Sequence, residues 1–149
     1  MVMKKVQPPV YFFLALLLMT ALHLLLPLNA LISFPWNLAG LVPVGIGASL
    51  NILADRSFKF HITTVKSFQK SSVLVRDSVF KYSRNPMYLG MILILVGIAI
   101  VMGSVTPWII VPLFVVLIDR IFIQPEELML EETFGSAFQA YRKRVRRWI

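Results

Sequence analysis

Two short runs hold most of the side chains in this sequence that could do chemistry: Tyr82-Ser83-Arg84-Asn85-Pro86-Met87-Tyr88-Leu89-Gly90 and Gln124-Pro125-Glu126-Glu127. Each places a proline where a helix would begin. Asn85 offers a side-chain acceptor as an N-cap, and Pro86 and Pro125 lack the amide hydrogen that goes unpaired at the first helical position. A helix amino terminus presents free amides and the positive end of its dipole, and Arg84 adds a full charge, so the first run suits an anionic ligand group. Glu126 and Glu127 fall in a first turn, where the dipole favours carboxylates, and suit pairing with Arg84 or Arg120 or receipt of a cationic ligand. Both patterns are equally those of ordinary helix starts, so the residues alone leave the choice open.

Other polar positions are sparse. Asp119 and Arg120 end an apolar stretch, where a charge costs a few kcal/mol unless it is paired, hydrated or snorkelling. Arg120 is long enough to snorkel and Asp119 is not. His23 lies between Leu22 and Leu24, the setting of an interhelical hydrogen-bonding group more often than of a ligand. Gly45-Ile46-Gly47 would let a helix or a cofactor come close to the backbone. The absence of cysteine excludes a thiolate nucleophile, a disulfide framework and a Cys-ligated zinc site, and His23 and His61 lie far apart, so no metal is expected.

The elements that position these residues follow from composition. Of 149 residues 58% are hydrophobic, and the mean hydropathy is +0.77, which excludes a soluble Rossmann-type enzyme and predicts one all-α polytopic membrane domain over residues 1–149. Apolar runs at about 10–32, 36–54, 87–102 and 105–123 predict four transmembrane helices. The last two should form a tight hairpin through Gly103-Ser104. The first follows Lys4-Lys5 and is expected to be a retained span, because it is long and further spans follow. The basic residues fall at Lys4 and Lys5; at Arg56, Lys59, Lys66, Lys70, Arg76, Lys81 and Arg84; and at Arg120, Arg142, Lys143, Arg144, Arg146 and Arg147. An even number of crossings places them all on one side, which the positive-inside rule makes cytoplasmic together with both termini. The net charge of +8 is then explained by topology and anionic headgroups without nucleic acid. The cytoplasmic segment 55–86, with Phe58, Phe60, Val65, Phe68, Val73, Leu74, Val75, Val79 and Phe80, should lie along the membrane surface. Phe134, Phe138, Tyr141, Val145 and Trp148 recur at helical spacing and predict a tail helix over 125–148.

Taken together, the two chemical runs resemble a known family. Ser83-Arg84-Asn85-Pro86-Met87-Tyr88-Leu89-Gly90, then Pro125-Glu126-Glu127, Leu130, Phe134-Gly135, Phe138, Tyr141, Val145 and Arg147-Trp148, are similar in order and spacing to the membrane methyltransferases grouped with isoprenylcysteine carboxyl methyltransferase and phospholipid N-methyltransferase. The likeness runs from about Gly45 to the C-terminus, with Thr63-Thr64-Val65 and Leu74-Val75 similar to small bacterial members. It implies an S-adenosylmethionine-dependent enzyme acting on a lipophilic, membrane-embedded substrate. Arg84, Asn85, Pro86, Tyr88, Gly90, Glu126 and Glu127 would line the cofactor pocket, with Glu127 and Arg120 as catalytic candidates. Gly45-Ile46-Gly47 would match a small-residue motif of the phospholipid enzymes.

The sequence also departs from the pattern. Ser78-Val79-Phe80 stands where many members carry Gly-Pro-Tyr or Gly-Pro-Phe, and Asn85 replaces a frequent histidine. The second change removes a titratable group, leaving hydrogen bonding but no general base at that position. Carboxyl O-methylation of an isoprenylcysteine-like or other lipophilic acid is the first expectation, and phospholipid or amine N-methylation the alternative. A non-catalytic lipid- or partner-binding module is the competing class, ahead of a small transporter, for which the spans offer little beyond Asn51, His23 and Asp119.

Overall fold

Long runs of Leu, Ile and Val without a charge can satisfy their backbone in lipid only by forming helices or a closed barrel, and every regular element among the described residues is helical. The computed structural model describes residues 6–61 and 73–149. Lys4, Lys5, Thr63, Thr64, Val65, Lys66, Phe68 and Lys70 lie outside them. The α-helices are α1 (Pro8–Leu25), α2 (Leu41–Phe60), α3 (Pro86–Met102), α4 (Ile110–Ile118), α5 (Gln124–Phe134) and α6 (Ser136–Arg144). Three helical stretches are long and apolar enough to cross a membrane: α1, Trp36–Phe60 and Thr106–Phe134. The protein is an integral membrane protein. α3 is a shorter apolar helix of 17 residues, about 25 Å long at 1.5 Å per residue.

α3 is the hub. It packs against α1, α2 and α4, and its Leu95 and Ala99 are fully buried in a core with Met19, Phe114, Ile118 and Phe122. Helices in lipid gain little from hydrophobicity alone, so close approach at small residues takes its place. A Cβ at Gly47 would collide with the Gly90 carbonyl, one at Gly90 with the Gly47 carbonyl and the Asn51 side chain, and one at Gly97 with the Gly40 carbonyl. Two glycine contacts thus clamp α3 antiparallel to the Trp36–Phe60 helix. Gly45 faces open space, so of the expected triplet only Gly47 makes a close helix contact.

Several boundaries differ from the sequence expectation. α1 stops at Leu25, seven residues short of Ile32, because Pro27 follows and Leu26 leaves the helical region. The second span runs on to Phe60, taking Phe58 and Phe60 out of the surface segment. Val75, Val79 and Phe80 of that segment pack on Ala54 and Phe58 of α2 and on Met87. The fourth span does not end before Pro125: a π-helical turn over Asp119–Ile123 widens the backbone there and the helix continues as α5. The tail is not one helix. Gly135, at φ 49°, separates α5 from α6, and the chain leaves α6 at Val145 in extended conformation. Phe138 and Tyr141 are buried as the spacing requires, whereas Val145 and Trp148 lie beyond the helix.

The α3–α4 turn is as tight as expected. Gly103 adopts φ 72° and caps α3 through its amide to the Ala99 carbonyl, and a Cβ there would strike the Ile32 carbonyl. Ala30 bridges Ser104, the Leu31 and Ile32 amides donate to the Gly103 carbonyl at 2.7 and 3.1 Å, and the Val105 amide donates to the Leu28 carbonyl at 3.3 Å. His23 Nδ1 lies 2.7 Å from Ser104 Oγ, and Asn37 Nδ2 donates to the Val101 carbonyl at 2.8 Å. This end of the bundle is a web of helix connections, and His23 is part of it.

Candidate active site at the charged end of the bundle

At the opposite end α1 begins, α2 finishes, α3 begins and α5 begins, and between them lies a cavity of about 290 Å³. Its walls are Gln7, Pro8 and Pro9 from the start of α1, Phe58 from α2, Phe80, Arg84 and Asn85 from the loop, Pro86, Met87, Tyr88 and Met91 from α3, and Glu126 from α5. Most of this surface is apolar; the polar groups converge at Arg84, Tyr88 and Glu126.

The loop before α3 is held by the C-terminal strap. The Arg84 amide donates to the Arg146 carbonyl at 3.1 Å, Ser83 Oγ to the Arg147 carbonyl at 3.3 Å, and Asn85 Nδ2 to the same carbonyl at 3.2 Å. Asn85 therefore ties loop to tail and makes no side-chain cap on α3, contrary to its expected N-cap role. Pro86 sits at the helix start as expected. Tyr141 anchors the tail again, its hydroxyl donating to the Phe80 carbonyl at 2.7 Å. Burial pushes the Tyr141 phenol up to about 12, with Arg84 and Arg76 opposing.

Adjacent glutamates on a helix point about 100° apart, and this pair is divided accordingly. Glu126 faces the cavity and accepts a hydrogen bond from Tyr88 Oη at 2.8 Å. Glu127, 8% exposed, faces a part-buried cluster of ions. Its Oε1 lies 3.2 Å from Arg84 Nη2 and 3.3 Å from Arg147 Nε, and its Oε2 accepts from Arg147 Nη2 at 2.7 Å. Arg147 also reaches Asp119 Oδ1 at 3.0 Å, and Gln124 Nε2 donates to Asp119 Oδ2 at 2.8 Å. The carboxylate stranded at the end of an apolar span is thus paired. Hydrogen bonding to Glu127 raises the Arg147 pKa, while burial lowers that of Arg84 against the pull of Glu127.

Arg84 is the unbalanced member. Its side chain is 8% exposed, and only Nη2 has a partner; Nε and Nη1 are buried without one. A buried guanidinium with two free nitrogens beside a helix start without a side-chain cap has the chemistry to receive an anionic group.

Arg84, Asn85, Pro86, Tyr88 and Glu126 are brought together at this cavity. Glu127 stands behind Arg84, outside the lining. Gly90 lies in the α2–α3 contact, and Arg120 is exposed and belongs to neither the cavity nor the ion cluster. Sequence reasoning missed two contributors. Arg147 was visible only as part of the terminal Arg147-Trp148 likeness, and the Gln7-Pro8-Pro9 start of α1 carries no signal beyond its prolines. Among the described residues no group of three His, Asp or Glu is placed to hold a metal ion.

Comparison with known proteins bears on this geometry. The family model described as phospholipid methyltransferase matches residues 35–137. An uncharacterized protein of Haemophilus influenzae is 36% identical over 63 residues, 42% of this chain and all of that protein. The protein-S-isoprenylcysteine O-methyltransferase of Schizosaccharomyces pombe is 31% identical over 101 residues, 66% of this chain, but the aligned part is 41% of the yeast enzyme's length. No solved structure shows significant similarity. The matched region contains the loop before α3, both glutamates and the glycine-clamped helix pair, and the chain belongs to the phospholipid methyltransferase family, a membrane methyltransferase built from apolar helices.

Proposed function

We propose that this protein transfers a methyl group from S-adenosylmethionine to a lipophilic acceptor that enters from the bilayer. The observation that carries the proposal is Arg84, buried at the cavity with Nε and Nη1 unpaired. A carboxylate can accept a charge-assisted hydrogen bond from a free guanidinium nitrogen, and the amino-acid end of the donor carries one. Glu126 is the acceptor suited to the ammonium or the ribose hydroxyls, and Tyr88 holds it in place. When bound, the donor supplies an electrophilic methyl group on a positively charged sulfur. The protein's own work is to align the reactants and exclude water, for which Phe58, Phe80, Met87 and Met91 form the wall.

In this scheme Glu127 is a positioning residue. It holds Arg84 by one nitrogen and leaves the other two for the ligand. Gly90 serves helix packing, and Arg120, exposed at the end of an apolar helix, serves headgroup contact. The scheme has α3 as a fourth crossing, at the short end of the range that spans hydrocarbon, with both termini and the cavity on the cytoplasmic side. α1 and α2 each pack on α3, and the acceptor enters between them, where the cavity meets Pro8 and Phe58.

Carboxyl O-methylation of an isoprenylcysteine-like or other lipophilic acid is the first reading of the acceptor; it follows the yeast relative's name and requires no deprotonation. Glu126 favours a second reading, because a carboxylate on the cavity wall would hold an amine and take its proton, as phospholipid N-methylation requires. Incubation of the purified protein with methyl-labelled donor and membrane lipid extract separates them. Base-labile label marks an ester and base-stable label an amine. Absence of label with every lipid fraction, in protein that also fails to bind the donor, would instead favour a non-catalytic module.

A further inference from the structure

Behind the cavity wall lies a second concavity of different chemistry. Phe80 lines the cavity, and its carbonyl holds Tyr141, which in turn lines a groove of about 550 Å³ with Arg76, Lys81, Ala140, Arg144 and Val145. Every charged residue of the lining is a cation. Arg76 precedes the 3-10 turn Ser78–Lys81 and Lys81 ends it, Arg144 ends α6, and the buried Tyr141 hydroxyl bond joins these two segments. The three cations are exposed and line one concavity.

None of the three forms an ion pair among the described residues. Carboxylates in these segments have other neighbours: Asp77 Oδ2 lies 3.3 Å from His61 Nε2 while its Oδ1 is buried without a partner, Glu131 lies 3.8 Å from Arg142, and Asp119 and Glu127 hold Arg147. Three like charges lining one concavity focus a positive potential that an anion relieves. Val145 adds an apolar wall, and the groove sits at the charged end of an apolar bundle, where headgroup phosphates are concentrated and soluble anions are not.

We propose that the groove of Arg76, Lys81 and Arg144 binds the phosphate diester of an anionic glycerophospholipid, at a site separate from the candidate active cavity. The proposal does not rest on the methyl-transfer reading. Each cation should contribute about five-fold to selectivity for an anionic over a zwitterionic lipid.

Native mass spectrometry of the full chain, in micelles doped equally with phosphatidylglycerol and phosphatidylcholine, tests it. The wild type should retain phosphatidylglycerol in preference by roughly a hundred-fold. The combined Arg76→Ala, Lys81→Ala and Arg144→Ala variant should lose the preference. Ala140→Trp, which fills the groove without changing charge, should lose it too, whereas combined Arg142→Ala, Lys143→Ala and Arg146→Ala should keep it. The melting temperature of each variant verifies that it is folded. Equal retention of the two lipids by the wild type would overturn the proposal. Equal loss in the control triple would do so in favour of diffuse surface charge, and displacement of phosphatidylglycerol by millimolar inorganic phosphate in favour of a soluble anion.

Discussion

The two ends of the bundle solve the same problem in opposite ways. Where α1 leads into α2 and α3 into α4, polar groups meet across the connections: His23 with Ser104, Asn37 with the Val101 carbonyl, Ala30 with Ser104. Two atoms there, Asn37 Oδ1 and Trp108 Nε1, lack partners, but both belong to neutral groups. At the other end a fully charged guanidinium keeps two buried donors free, α3 begins without a side-chain cap, and a cavity remains open. An unmet donor on a buried charged group costs more than an unmet group on a neutral amide. One end leaves only neutral groups unmet, whereas the other leaves donors of a charged group unmet, as the proposed ligand site requires.

Several substitutions break or sharpen that contrast. Glu127→Gln has the largest expected effect, because it removes the counter-charge of Arg84 and one of the two that hold Arg147; stability in detergent should fall by about 3 kcal/mol, measured by chemical unfolding, and donor binding should be lost with it. Unchanged stability would mean that the ion cluster does not hold the tail. Gly90→Val should cost about 2 kcal/mol by forcing α2 and α3 apart, while protein that remains folded still binds the donor, as calorimetry would show. His23→Ala should cost about 1 kcal/mol and leave donor affinity untouched; an affinity change there would mean that the two ends are coupled.

The smallest effect concerns pH. The folded value for Tyr141, about 12, lies above its ordinary 10.0, so the neutral phenol is favoured by folding. Its contribution to docking the tail is fully present below about pH 10 and is lost as pH rises through about 12. The ultraviolet difference titration of wild type against Tyr141→Phe should have its midpoint near the upper value, and a midpoint near the lower one would place the hydroxyl in water.

What could be read from the chain alone divides along similar lines. Helix content, the site loop Arg84–Tyr88 and the glutamate pair were legible, because apolar length and proline-marked helix starts are local signals. Asn85 and Pro125 show the limit. Each has the residue type of a helix start, yet Asn85 bonds the Arg147 carbonyl and Pro125 sits within a continuous helix relieved by a π-turn. The partner that redirects Asn85 is 62 residues away in sequence, beyond any local pattern. The division of Glu126 from Glu127 is helix geometry and could have been anticipated; which of them faces the cavity depends on Arg147, and that required the fold. Gly90 shares the motif of the candidate site, and its close approach to Gly47 and Asn51, which no local pattern shows, places it in the α2–α3 contact.

The central claim, that Arg84 is an unfinished site for the carboxylate of a methyl donor, is tested most directly by titrating S-adenosylmethionine into the purified protein in nanodiscs by calorimetry, wild type beside Arg84→Ala. The account predicts saturable binding to the wild type and a loss of roughly ten- to a hundred-fold in the variant, the worth of charge-assisted hydrogen bonds. Equal affinity in the two proteins, with the variant folded, would contradict it.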